Sequence, residues 1–375
     1  MADGVPIDAR ELGRCAGSAA GPTLIAVAGI HGNEPAGVHA GRLLLAQLAP
    51  GSFRGEVVVL AGNLAGLRRG ARYLVKDLNR VWTEERLDAL RGASPPALDE
   101  EDREQLELAA AIDAAAARAR GPVHLIDLHT TSAAGIPFLL VGDTARQRRF
   151  LGAFPIPVIL GLEEQLDGVL SAFWTRRGFI TTAVEGGQHD DPATAGSLQA
   201  VLWVALAQAG CIDAGLEQVR RAAALLDAQR SGLPRVIEVL SRRAITPEDG
   251  FRMEPGFRNI DHARAGQLLA RDRGGEIRAE RQGLVIMPLY QGLGGDGFFW
   301  GREVSRGRLR VAGLLQRLGL SRLLGLLPGV TRDPRSPGRF VVEGGRADAL
   351  GVLRMFGYRR VRRDGDALTV ERHAL

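Results

Sequence analysis

Apolar residues along the chain gather into short unbroken runs: LIAVAGI at 24–30, EVVVLA at 56–61, VHLIDLH at 123–129 and FITTAVE at 179–185, with a weaker run at 156–160. Runs of this length, rich in β-branched residues, predict strands buried on both faces, as in parallel sheets. Between them the apolar spacing takes the helical period over 34–48, 99–120 and 195–209, the last after the turn-like DDPATAG. Strands alternating with helices predict an α/β fold, a mixed, largely parallel sheet flanked by helices. Ligands in such folds collect at the carboxyl ends of strands. His31, His129 and Glu185 each stand at or just past such an end.

The pattern changes near SGLPR at 231–235, after which the apolar segments IEVL, GQLLA, GLVIMPLY and FFWG are short and separated by Gly, Pro and Asp. This predicts an α/β domain over residues 1–232 and a smaller β-rich domain over 233–375. Residues 309–327 read as an amphipathic helix with Arg310, Arg317 and Ser321 on one side, packed on its own domain. FGYRRVRRDGDALTVERH reads as a basic hairpin.

Composition narrows the classes. With 45% apolar and 24% charged residues in 375, the balance is that of a soluble globular protein. The start MADGVPIDARELGR has no apolar signal region and no window of about 18 apolar residues occurs, so the expectation is a cytoplasmic protein without a membrane span. Cys15 and Cys211 lie far apart, which argues against a disulfide framework or a thiolate metal site. Any metal must therefore be held by imidazole and carboxylate.

The formal charge of +5 is unevenly spread: residues 302–375 carry 16 arginines against 7 acids, which leaves the first 301 residues four charges negative. With no nucleic-acid module in it, the basic tail reads as a solvated surface. G-x-G-x-x-G at Gly292, Gly294 and Gly297 precedes the strand-like FFWG rather than a helix, against a dinucleotide site. Neither G-x-S-x-G nor a Walker A sequence is present.

The chemistry concentrates in a few side chains. His31 and Glu34 stand one helical turn apart where a strand gives way to a helix. A catalytic zinc commonly takes three protein ligands, two histidines and a glutamate being one such set. On helix 34–48 His39 turns away from Glu34, and on VHLIDLH the two-residue period points His124 away from the face of Asp127 and His129. His129 is thus the natural third ligand, with His189, His262 and His373 as outside alternatives. Hydrolysis also needs a proton acceptor. Glu185 in AVEGGQHD ends a strand before two glycines; Asp190 and Asp191 compete, though they read as a turn and helix cap before Pro192. Positive charge for an oxyanion or a substrate carboxylate comes from ARYLVKDLNR, with Arg72, Asn79 and Arg80. Taken singly these arginines read as surface charges, and Asp77 as a partner of either.

GIHGNE, RYLVKDLNR, DLH and VEGG, in that order, resemble the motifs of the succinylglutamate desuccinylase and aspartoacylase family, zinc hydrolases related to the zinc carboxypeptidases. The resemblance covers roughly residues 24–190, and PGFRNI, GQLLA and GLVIMPLYQGLGGDGFFWGREV resemble that family's C-terminal β domain. It implies one zinc ion per chain on His31, Glu34 and His129, with Glu185 as general base and acid. It also implies that Arg72 steadies the oxyanion and that Asn79 and Arg80 hold a substrate carboxylate. A further substrate arginine expected shortly before the base is Arg176 or Arg177, and Tyr290 is either a visitor from the second domain or a core residue. The expected activity is hydrolysis of the amide bond of a small N-acylated amino acid, with no nucleic-acid partner and the oligomeric state left open. Peptide or ester hydrolysis on the same scaffold, and a non-catalytic binding pocket, are the alternatives.

Overall fold

The computed structural model describes residues 7–142, 144–305, 320–333, 338–345, 349–350, 352–353, 358–364 and 367–372. In chain order the first half runs β1 (Glu11–Ala16), β2 (Ala19–Ala28), α1 (Ala36–Gln47), β3 (Arg54–Ala61), α2 (Leu64–Arg69), α3 (Glu84–Gly92), α4 (Glu100–Arg118) and β4 (Val123–Thr131). It continues with β5 (Phe138–Val141), α5 (Ala145–Leu151), β6 (Val158–Leu160), α6 (Leu170–Arg176), β7 (Ile180–Gln188), α7 (Ala193–Ala209) and α8 (Glu217–Arg230). Strands dominate the remainder: β8 (Val236–Ala244), β9 (Arg252–Met253), β10 (Asp261–Ala263), β11 (Leu268–Asp272), β12 (Gly275–Arg278), β13 (Gly283–Ile286) and β14 (Asp296–Glu303). Last come β15 (Val330–Arg332), β16 (Arg339–Val342), β17 (Tyr358–Asp364) and β18 (Ala367–Arg372).

Eleven strands form one mixed sheet in the order β1-β3-β2-β4-β7-β5-β6-β8-β14-β13-β10. Its centre, β3-β2-β4-β7, is parallel, and β5 runs antiparallel to β7. The apolar runs are continuous because alternate residues enter different cores. Leu24, Ala26 and Ala28 of β2 pack in the cluster that contains α1 and α7, whereas Ile25 and Val27 pack in the cluster of α4 and α6 around Trp82, Phe173 and Trp174. Each large side chain so buried stabilises the fold by about 1.5–3 kcal/mol. The helix that follows the first histidine motif is shorter than its apolar pattern, because Pro35 takes the N-cap position and α1 starts at Ala36.

The link at residues 231–235 lies between α8 and β8, yet the sheet continues across it: β8 pairs parallel with β6 and antiparallel with β14. Two further antiparallel sheets, β12-β11-β9 and β15-β16-β18-β17, hold the rest of the C-terminal strands. The expected basic hairpin is β17 and β18. Within the expected helix at 309–327, residues 309–319 lie outside the described residues, and Leu320–Leu326 forms a 3₁₀ helix. Among the described residues no helix is long and apolar enough to cross a membrane.

Candidate metal centre and its cleft

The strand β2 ends at Ala28, and Gly29, at φ 71°, turns the chain so that His31 follows the edge of the sheet. Gly32 is required by close packing: a Cβ there would collide with the backbone of Gly66 and Ala71. His129 lies near the end of β4, and in the sheet register it sits directly beside Glu185 of β7. That pairing puts the side chains of His129 and Glu185 on one face of neighbouring strands. His31, Glu34 and His129 are all buried and offer one ligand atom each within 4.8 Å of one another.

Glu34 bridges the two rings, its Oε1 lying 2.9 Å from His31 Nδ1 and its Oε2 3.2 Å from His129 Nδ1. It also accepts from Thr130 N at 2.9 Å. The outer nitrogen of each ring meets another carboxylate: His31 Nε2 lies 3.1 Å from Asp77 Oδ1, and His129 Nε2 lies 2.9 Å from Asp127 Oδ2. A carboxylate on the far nitrogen fixes ring orientation and leaves Nδ1 free to coordinate. Two imidazoles and a carboxylate, each pair within reach of one ion, are a donor set that fits zinc with a fourth position open. Burial disfavours ionisation of Glu34, but His31 and His129 outweigh it and hold the carboxyl well below the usual range. Burial likewise opposes charge on His129, and Asp127 and Glu34 reverse this, raising it well above an ordinary imidazole.

Glu185 is buried, and its Oε2 has no hydrogen-bond partner. Burial pushes its carboxyl up to about 8, with the His129 and Arg72 charges pulling down and the Glu34 charge pushing up. Arg72 gives one nitrogen to Asp77 Oδ2 at 3.0 Å and approaches Glu34 Oε1 at 3.5 Å. The loop that carries Arg72 and Asp77 is pinned by a buried carboxylate of α4: Glu101 accepts from Leu74 N at 2.7 Å, Val75 N at 2.9 Å and Asn63 Nδ2 at 3.1 Å.

Asn79 and Arg80 also reach the cleft, but with commitments. Asn79 Oδ1 accepts from Leu170 N at 2.8 Å, and its Nδ2 lies 3.2 Å from His129 Nε2. Arg80 donates to Asn79 O at 2.9 Å and to Asp296 Oδ2 at 2.8 Å, and Asp296 also pairs with Arg242. The cleft, with about 850 Å³ of space counting the solvent at its mouth, is lined by all seven expected site residues, together with Glu163, Ser171 and, from the C-terminal part, Met287, Leu289, Gln291 and Asp296.

Other candidates lie elsewhere. Arg177 stacks on Phe173 and Trp174 and pairs with Glu84 at 2.6 Å; Arg176 is exposed, and neither lines the cleft. Tyr290 is 40% exposed, and its hydroxyl accepts from Phe257 N and donates to Glu254 O, so it is neither a cleft residue nor a core one. His189 bonds Thr130 Oγ1 at 2.6 Å and lies outside the ligand cluster. His262 stands exposed on β10, and His373 lies outside the described residues. Asp191 caps the start of α7 by accepting from Ala193 N at 2.9 Å.

Residues 20–201 match the succinylglutamate desuccinylase/aspartoacylase catalytic domain. The succinylglutamate desuccinylase of Burkholderia thailandensis is 30% identical over 264 residues, 67% of this chain and 70% of that one. The chain belongs to the succinylglutamate desuccinylase and aspartoacylase family. Another relative, the succinylglutamate desuccinylase of Burkholderia cenocepacia, is 37% identical over 124 residues, and the match spans only 34% of its length. Among solved structures, the product-bound ectoine utilization protein EutE (DoeB) of Ruegeria pomeroyi has a TM-score of 0.56 at 21% identity, covering 76% of this chain and 87% of that one. A succinylglutamate desuccinylase/aspartoacylase of Rhodobacter sphaeroides has the same TM-score at 18% identity, with the same 76% and 87% coverage. These likenesses share the fold: a large mixed sheet between helices with small antiparallel sheets toward the C-terminus.

Asp77, expected to pair with Arg72 or Arg80, does pair with Arg72, and it also stands behind His31 as Asp127 stands behind His129. Asp127 carried a local signal, since two residues before His129 on a strand is the same face. The cleft residues Asp296 and Glu163 had none: Asp296 reaches Arg80 from a distant strand, and Glu163 meets Ser171 eight residues on, outside any motif.

Proposed function

We propose that the protein is a zinc-dependent amidohydrolase that removes the acyl group from an N-acylated amino acid or related small molecule. His31, Glu34 and His129 would hold the ion, which supplies Lewis acidity to the amide carbonyl and to the attacking water. Glu185 takes the water's proton and returns it to the departing amine. Arg72 faces the oxyanion that develops on the carbonyl, and Asn79 and Arg80 orient a substrate carboxylate.

The observation that carries this reading is a His₂Glu donor set with an unpartnered, buried carboxylate on the adjoining strand. Burial raises the proton affinity of this carboxyl above that of an exposed glutamate, the direction that a base which later acts as acid requires. The family membership supports deacylation, and the modest cleft supports a small substrate over a protein chain.

The test combines metal analysis with a hydrolysis panel of N-acetyl and N-succinyl amino acids, peptides and esters. Wild type is expected to carry about one zinc per chain and to cleave N-acyl amino acids best. Glu185→Gln keeps the zinc and loses at least about a hundredfold in kcat. Full turnover in that variant removes Glu185 as the base, and a preference for peptides or esters replaces the deacylase reading.

A further inference from the structure

The three residues that follow His129 each carry a hydroxyl, and each hydroxyl meets a different part of the chain. Thr131 Oγ1 accepts from Asn259 Nδ2 at 2.8 Å, and Asn259 Oδ1 in turn accepts from Met287 N at 2.9 Å. Ser132 Oγ accepts from Tyr290 N at 3.1 Å. Thr130 Oγ1 lies 2.6 Å from His189 Nδ1, and His189 Nε2 lies 3.3 Å from Gln291 Oε1. The first two ties end on backbone N–H groups and hold the main chain of segment 287–291. The third ends on a side chain, so what it sets is the direction of one amide.

The ring is fixed at both ends. Thr130 donates its backbone N–H to Glu34, and His189 donates its own to Thr131 O at 2.9 Å, just after Gln188 pairs with Thr131 at the end of β7. With the proton on Nε2, the imidazole accepts from the Thr130 hydroxyl and donates to Gln291 Oε1, so both contacts are made together. Thr130 and Gln291 line the cleft, and His189 does not. The Gln291 amide, half-buried, then keeps two N–H groups for which no partner is found among the described residues.

We propose that His189 is a positioning residue that turns the Gln291 side chain so that its amide nitrogen, and not its oxygen, donates to an oxygen of the bound substrate. The inference rests on the deacylase reading of the same cleft. Segment 287–296 thus serves the cleft twice, through Asp296 on Arg80 and through a neutral donor of its own.

The experiment measures kcat, KM and zinc content in wild type, His189→Gln, His189→Asn, Gln291→Leu and the double variant of His189→Asn with Gln291→Leu, using the N-acyl amino acid that wild type cleaves best. Glutamine carries its amide nitrogen where imidazole has Nε2, whereas asparagine reaches only as far as Nδ1, so the two differ in reach and not in polarity. His189→Gln is expected to keep KM within about twofold of wild type, and His189→Asn to raise it about 3- to 10-fold, the worth of one hydrogen bond, with kcat changed less than about threefold and zinc retained. Gln291→Leu raises KM by the same factor and the double variant no further, because the ring acts only through the amide. Gln291→Glu, which puts an acceptor where the donor stood, raises KM at least as much and serves if His189→Asn does not fold. Equal KM in the two His189 variants, additive effects in the double variant, zinc lost with His189, or an unchanged KM in Gln291→Glu overturns the proposal. If no N-acyl compound is cleaved, the deacylase reading fails and calorimetric titration with N-acetyl-L-glutamate decides. Binding weakened about 3- to 10-fold in His189→Asn and not in His189→Gln supports the positioning role, and equal or absent binding throughout overturns it.

Discussion

Asp127 does its work through His129. It is buried, and the ring nitrogen it meets at 2.9 Å is the one turned away from Glu34. Asp127→Asn keeps the volume but loses the negative charge that orients the ring, and the expected result is a 10- to 100-fold weaker zinc affinity, measured by competition with a chelator. An unchanged affinity removes Asp127 from the metal support. The same environment explains what was legible here. His31, His129 and Glu185 could be found because each stands near or just past a strand end, and Glu34 because it follows His31 by three residues in a short local pattern. Asp77 read as a partner of one of two nearby arginines, and its bond to His31, 46 residues away, has no local trace.

The strand that carries His129 also carries His124 on its opposite face, where the ring packs on Phe150 of α5 with centroids 4.7 Å apart. Burial, helped by Arg146, lowers the His124 pKa from 6.5 to about 4, and its Nδ1 has no partner. Above pH 6.5 the ring is neutral in folded and unfolded chains and contributes nothing to pH dependence. As pH falls from 6.5 to about 4 the unfolded chain takes up a proton that the folded one refuses, a loss of roughly 3 kcal/mol. His124→Phe is therefore expected to narrow the difference in unfolding free energy between pH 7 and pH 4, read by urea titration at both. The two-residue period placed His124 away from the site correctly, because a strand's facing is a local property. Elements whose apolar signal is weak or short were missed: edge strand β1 and α8, which buries only Val219, Ala222 and Leu226, for weakness, and the wholly apolar β5 for its four-residue length.

The α/β class was readable because strand and helix periods are local, but the continuity of the sheet was not. A composition shift near residue 232 marks a change in element type, and pairing of β8 with both β6 and β14 is decided by edges far apart in sequence. As a result the first 232 residues supply the donor cluster while β14 supplies Asp296 to Arg80. Because one backbone carbonyl and the Asp296 carboxylate hold that guanidinium in place, Asp296→Asn is expected to raise KM for a carboxylate-bearing substrate roughly tenfold while kcat changes less than about threefold. Equal losses in both parameters count against this positioning role.

The Arg80–Asp296 pair also spans 216 positions of chain, whereas the whole donor cluster closes within residues 31–129. Loop closure costs more for the wider pair, though only by about 0.7 kcal/mol. The donor cluster is complete within the N-terminal part of the chain, whereas the setting of Arg80 depends on a strand that the C-terminal part brings to it.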